Sequence, residues 1–198
     1  NRAVVVKKLQ PIKIEAIVRG YLIGSGWKEY QETGLVSGIK MPKNLKLATK
    51  LMQPIYTPSS KAKVGEHDVN ISFADTKNML GEDTANKIKD ISLKIYNFAA
   101  DCAIKKGIII ADTKFEFGLD EHDNLTIMDE VLTPDSSRFW SVQNYTEGQS
   151  PQSYDKQIIR DYLESLDWNK KPPAPPLPEA ILTKTSMQYQ KIQAILCN

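Results

Sequence analysis

Residues 108–119, IIIADTKFEFGL, restrict the fold of this chain more than any other stretch. IIIAD is an apolar run that ends on a charge and reads as a buried strand, whereas KFEFGL alternates apolar with other residues and reads as a strand with two different faces. Side chains on a strand point alternately to opposite sides, so Asp112, Lys114 and Glu116 share one face while Thr113, Phe115 and Phe117 share the other. DEHDN at 120–124 supplies a turn, and LTIMD at 125–129 follows as the returning strand, which predicts a hairpin with acidic ends. Across that hairpin Glu116 and Asp129 can be neighbours. Two such carboxylates repel unless a cation lies between them, and Mg²⁺ held by one or two carboxylates and phosphate oxygens is the usual solution in ATP chemistry. The same charges could instead form a salt-bridge ladder with Lys114, and the residues alone leave both readings open.

The rest of the chain predicts an α+β fold, a mixed or antiparallel sheet flanked by helices in one compact unit. Residues 3–9 are rich in β-branched side chains and read as a strand, with Gln10 and Pro11 turning it into the next, where Ile12, Ile14, Ala16 and Val18 alternate with Lys13, Glu15, Ile17 and Arg19. Gly20, Gly24 and Gly26 then interrupt regular structure, Ser25 stands where it could cap a short helix through WKEYQE, and Gly34 ends that helix. A strand end, a loop and a helix N-terminus in succession suit an anion, with the Arg19 fork and the Ser25 hydroxyl as candidate ligands. Residues 41–72, with prolines at 42, 54 and 58, are irregular and form a candidate binding loop. Its stretch TPSSKAKVGEHDVNIS carries Lys61, His67, Asp68 and Asn70, and His67 could act as an acid or base near neutral pH or simply cap Asp68. A long helix over about 83–106 follows from Ile88, Ile91, Ile95, Phe98 and Cys102 at spacings of three and four, stopped by Gly107. A helix around 154–166, a proline-rich connector at about 170–179 and a last helix bearing Ile181, Leu182, Tyr189, Ile192 and Leu196 complete the chain.

Composition excludes several classes. The 26 basic and 24 acidic side chains are interspersed and sum to +2, so neither nucleic acid nor an anionic membrane is an expected partner. No apolar run approaches the roughly 18 residues of a membrane span. Two distant cysteines, Cys102 and Cys197, make no disulfide framework and fit a reducing, cytoplasmic location. With two histidines and no CxxC or HxxxH spacing, a zinc site is not expected, and any metal should be a hard cation on oxygen ligands.

Five strings, VRGYLIGSGWKEY, TPSSKAKVGEHDVNIS, DTKFEFG, DEVLTPDSSRFW and SYDKQIIRDYLESLDW followed by a proline-rich run, occur in the order of the SAICAR synthetase family, which the chain resembles over essentially its whole length. The resemblance implies the C-terminal, substrate- and Mg-nucleotide-binding lobe of an ATP-grasp or kinase-like fold, spanning 1–198. It also implies an ADP-forming ligase of purine biosynthesis that joins L-aspartate to an aminoimidazole carboxylate ribotide through an acyl phosphate, with ATP as co-substrate and Mg²⁺ as cofactor. Arg19, Ser25 and Arg138 would then hold the ribotide phosphate. Glu116 and Asp129 would engage Mg²⁺, Lys114 would neutralise the transferred phosphoryl group, and Lys61, Asp68 and Asn70 would line the ribotide and aspartate pocket. Ser60 and Val69 depart from the threonine and acidic residue expected there. The family's N-terminal lobe, which covers ATP, has no counterpart before Asn1, so the 198 residues alone are expected to be inactive or nearly so; a monomer is expected. Without the resemblance, the residues also suit a non-catalytic nucleotide- or phosphate-binding module, and PPAPPLP could serve as a ligand for an aromatic groove.

Overall fold

A computed structural model describes residues 3–61, 69–169 and 171–197. In chain order the strands are β1 (Gln10–Pro11), β2 (Ile14–Tyr21), β3 (Leu35–Val36), β4 (Ile39–Lys40), β5 (Lys50–Tyr56), β6 (Ser59–Ser60), β7 (Val69–Asn70), β8 (Ile108–Leu119), β9 (Leu125–Met128) and β10 (Ser137–Ser141). The helices are α1 (Gly24–Thr33), α2 (Phe73–Leu80), α3 (Glu82–Lys105), α4 (Gln157–Glu164) and α5 (Glu179–Cys197). Apart from the small β3–β4 hairpin, the strands form one sheet in which every pairing is antiparallel. This is the expected α+β architecture.

The two predicted strands at 108–119 are one 12-residue strand, β8, at the centre of the sheet. It pairs with β2 and β1 along one edge and with β10 and β9 along the other. Arg138 lies opposite Asp112 while Phe139 lies opposite Ile110, so Ala111 has no partner across the ladder and forms a β-bulge. The bulge resets the alternation. Ile108 and Ile110 before it, and Phe115 and Phe117 after it, all join the same core with Ile14, Ala16, Val18 and Phe139. A regular strand would have sent Asp112, Lys114 and Glu116 into that core beside Ile110. Because of one extra residue they face the other side.

Helix α3 covers the apolar face through a stripe that only partly matches the one predicted. Its buried residues are Ala85, Ile88, Ser92, Tyr96 and Ala103, whereas Phe98 is 74% exposed and Ile91 and Cys102 are also exposed. Small side chains let the helix lie close to the sheet, and the Tyr96 hydroxyl donates to the Ile110 carbonyl at 2.6 Å, which fixes the rotation. Ile91, Phe98 and Cys102 of the predicted stripe are turned towards solvent as a result, while Ile88 lies in the core and Ile95 packs against it. Ile192 of α5 closes the same core.

Three other expectations need correction. Residues 3–9 form no strand, since they gain no partner in the sheet, and Val4, Val5 and Val6 are exposed; only Gln10 and Pro11 pair, with β8. The irregular stretch 41–72 contains β5, whose Pro54 is tolerated because β5 pairs on one side only, with β2, among the described residues. Ser25 is not the cap of α1. The N-cap is Ile23 in an extended conformation, and Ser25 falls inside the first turn. Gly34 ends α1 in the left-handed conformation, as its sequence position predicts. Among the described residues no helix is long and apolar enough to cross a membrane.

Candidate functional site

The face of the sheet opposite α3 is built from the odd-numbered residues of β2 and the residues of β8 that the bulge re-aims. Register pairs Arg19 with Asp112 and Arg138 with Asp112, so three adjacent strands set an arginine, an aspartate and an arginine in one row. Arg19 is only 2% exposed. Its Nη1 donates to Asp112 Oδ2 at 2.8 Å, Nε to Thr57 Oγ1 at 3.0 Å and Nη2 to Ser25 Oγ at 2.8 Å. Arg138 Nη1 donates to the same Asp112 oxygen at 2.5 Å. Burial pushes the Arg19 pKa down and the nearby Arg138 charge adds to this, while Asp112 opposes both. Two guanidinium groups thus share one carboxylate oxygen, an arrangement with positive charge in excess and room for a second anion.

The strand-to-helix junction closes over this row. A β-carbon on Gly24, which has φ +60°, would stand 2.7 Å from Arg138 Nη2, and one on Gly26 would stand 3.0 Å from Arg19 Nε. Both glycines let the start of α1 lie directly on the two arginines. Gly24→Ala should therefore displace the Arg138 fork and lower stability by about 1–2 kcal/mol through the left-handed backbone alone. Urea unfolding and phosphate titration of the variant check this: an unchanged midpoint and affinity would mean that the close approach is not needed.

A second row lies along the same face. Lys114 Nζ donates to Glu15 Oε1 at 2.8 Å and to Glu116 Oε1 at 3.3 Å, and Lys61 Nζ donates to Glu116 Oε2 at 2.5 Å. Burial favours the neutral amine of Lys114, but Glu15 and Glu116 outweigh it and hold the pKa above the ordinary lysine value. Burial likewise opposes ionisation of Glu116, yet Lys61 and Lys114 keep its carboxyl below the usual range. Asp129 is exposed just past the end of β9, at φ +62°, and Glu116 is directly opposite Met128, so Asp129 stands one residue beyond it in the register. No group of three or more His, Cys, Asp or Glu residues suited to a metal occurs among the described residues. The register does not set Asp129 opposite Glu116, whose two carboxylate oxygens accept from Lys61 and Lys114; Mg²⁺ commonly takes one or two carboxylates and fills its remaining positions with phosphate and water.

Two adjoining cavities, of about 310 and 250 Å³, open on these rows and share Ser25, Arg138 and Arg160. The first is walled by Gly24, Trp140 and Lys28, and the second contains Arg19, Asp112 and Lys114. The structure brings Arg19, Ser25, Arg138 and Lys114 together, with Glu116 joined to them through Lys114. Lys61 reaches this group through Glu116. Asn70 instead donates to Glu29 Oε2 of α1 at 2.8 Å and lines neither cavity. His67 and Asp68 lie outside the described residues. Four cavity residues were not singled out from sequence as ligands: Asp112, Lys28, Lys156 and Arg160. Asp112 was legible on the charged face of its strand. Lys156 and Arg160 are four apart at the start of α4, a spacing that puts both on one helix face.

Residues 1–175 match the sequence profile of the SAICAR synthetase family. Among curated relatives, the phosphoribosylaminoimidazole-succinocarboxamide synthases of Pasteurella multocida and Actinobacillus succinogenes are 58% and 57% identical, over 99% of this chain and 68% of theirs. A solved SAICAR synthase from Saccharomyces cerevisiae, in complex with SAICAR, is 43% identical with a TM-score of 0.83 and covers 96% of this chain and 62% of its own. A SAICAR synthetase in complex with ADP is 26% identical, with a TM-score of 0.67 over 96% of this chain and 64% of its own. The chain therefore spans about two thirds of the length of these relatives.

Proposed function

The chain belongs to the SAICAR synthetase family, and from that premise we propose that it carries the ribotide-binding and phosphoryl-transfer surface of an ADP-forming ligase. The reaction joins L-aspartate to 5-amino-1-(5-phosphoribosyl)imidazole-4-carboxylate. The observation that carries this reading is the Arg19–Asp112–Arg138 row under the start of α1. A phosphate monoester fits there: the buried Arg19 fork, the half-buried Arg138 fork, the Ser25 hydroxyl and the first backbone N–H groups of α1 converge on it.

The imidazole carboxylate of a ribotide held in this way extends along the sheet face towards Lys114. A carboxylate is a poor acyl donor, because its leaving group would be oxide. Attack of its oxygen on the terminal phosphoryl of ATP gives an acyl phosphate and ADP, and the aspartate amine then forms the amide as inorganic phosphate leaves. Lys114, kept charged by its two carboxylate partners, lies beside the transferred group and offsets its negative charge. Glu116 and Asp129 would hold Mg²⁺, which supplies charge neutralisation between the phosphate oxygens. Lys61 reaches the same region through Glu116. No enzyme nucleophile is required. Turnover is expected of a chain of the relatives' full length, with its nucleotide-covering lobe, and ribotide binding of these 198 residues.

Heavy-oxygen labelling tests the route. With the substrate carboxylate labelled and the full-length protein turning over, one label should appear in released inorganic phosphate, because the bridging oxygen leaves with it. Label kept wholly in the amide or lost to water would rule out the acyl phosphate. Absence of ribotide binding to the present chain would remove the site assignment itself.

A further inference from the structure

The segment just before α4 is laid against β10. Ser153 bridges to Trp140, and the Tyr154 amide donates to the Phe139 carbonyl at 2.9 Å. Continuing that antiparallel register by two residues sets Asp155 opposite Arg138. Asp155 is 1% exposed, an unusual position for a carboxylate that forms no ion pair within 4 Å among the described residues. Its Oδ1 accepts from the Gln157 amide at 2.6 Å and so holds the first turn of α4. Its Oδ2 is buried without a hydrogen-bond partner, and so is Nε of Arg138. One orphan is an acceptor and the other a donor, and a buried polar atom left unmade is costly. Burial favours the protonated form of Asp155, while Ser153, the Gln157 amide and, more weakly, the Arg138 and Arg160 charges favour the ionised one. Arg138 and Arg160 both line the cavity into which the anion is read.

We propose that Asp155 is a positioning residue for the anion site: it restrains Arg138 from the side away from Asp112 and ties that arginine to α4. Filling the site seats Asp155 Oδ2 on Arg138 Nε and brings Arg160, one turn into α4, over the ligand. Asp112 alone fixes one end of the Arg138 fork through Nη1. A second anchor at Nε fixes the plane of the guanidinium, which a bidentate contact to phosphate requires. The inference rests on the reading of this site as that of the ribotide phosphate.

Asp155→Asn tests it, because the amide keeps the Oδ1 acceptor for Gln157 and removes the charge. In calorimetric titrations of the 198-residue chain, ribotide affinity should fall about 10-fold or more, the effect of losing one charged hydrogen bond. Affinity for ADP with Mg²⁺ should stay within about twofold. Arg138→Lys should lose a comparable factor, and the double variant little more than either, since both disrupt one contact. Ribotide affinity that is unchanged or tighter in Asp155→Asn overturns the proposal. Equal weakening of ribotide and ADP does so too, because it points to general loosening, as do losses that multiply in the double variant. If Asp155→Asn does not fold, Asp155→Glu decides: retained ribotide affinity supports a charge-based role, and a loss of about 10-fold overturns it. A parent chain that binds no ribotide sinks the function reading and this inference together. A parent that binds while Asp155→Asn binds equally sinks only the inference.

Discussion

Replacing Arg19 by leucine should abolish measurable ribotide binding and destabilise the fold by roughly 3–5 kcal/mol, the cost of removing one partner from a buried ion pair. Asp112 would be left buried with Arg138 as its single cation, and Thr57 and Ser25 would each lose the donor that now meets them. Native stabilities are only about 5–15 kcal/mol, so a loss of this size should be plain in a urea midpoint. Arg19→Lys separates charge from shape. A lysine keeps the pair with Asp112 but cannot reach Thr57, Asp112 and Ser25 at once, so it should recover much of the stability and little of the affinity. Full recovery of ribotide affinity by lysine would show that the fork is not what binds.

Glu116→Gln in the full-length protein should slow phosphoryl transfer by about 100-fold or more, the scale of losing a preorganised charge at the reacting group, with ribotide affinity nearly intact. Glu116 stands beside Lys114 and Lys61, away from the arginine row, so the two functions should part cleanly. Its ionisation has a further consequence. The folded carboxyl is held below its usual value by the lysines, so the stability it contributes is present at neutral pH and is lost as pH falls through the folded value. The glutamine variant should therefore be less stable than the parent near pH 7 and approach it in acid. Single-turnover ADP formation and urea midpoints across pH measure both effects. A variant that loses ribotide affinity while keeping its rate would move Glu116 out of the transfer site.

Much of this surface was legible in residues 17–30 and 108–119, because a strand has only two faces and a charged run in an apolar frame must be put to use. The alternation in β2 read directly as core and site. In β8 the grouping of Asp112, Lys114 and Glu116 was correct, but its relation to IIIAD was not visible, since a bulge depends on how β10 registers against the strand. The α3 stripe held at Ile88 and Ile95 but not at Phe98 for a related reason: spacing marks several possible faces on a helix rich in apolar residues, and close packing of Ala85, Ser92 and Ala103 chose one that leaves Phe98 outside. Ser25 was singled out through a mistaken role as a cap. Arg160 and Asp155 lie in a stretch whose local pattern describes only a short amphipathic helix. Their link to Arg138 arises from chain folding back across residues that are distant in sequence.

The unpaired Ala111 makes the distance between core and chemistry a matter of counting. Upstream of it the even-numbered residues belong to the core under α3, and downstream the odd-numbered ones do, so removing this one residue would exchange the two faces of the strand for everything on one side of it. Substitutions between 108 and 116 can be absorbed one side chain at a time, but a change of length there cannot. The turn at 120–124 carries no such parity and should accept insertions freely. Among relatives, sequence length between Gly107 and Glu116 should accordingly be fixed even where the residues themselves drift.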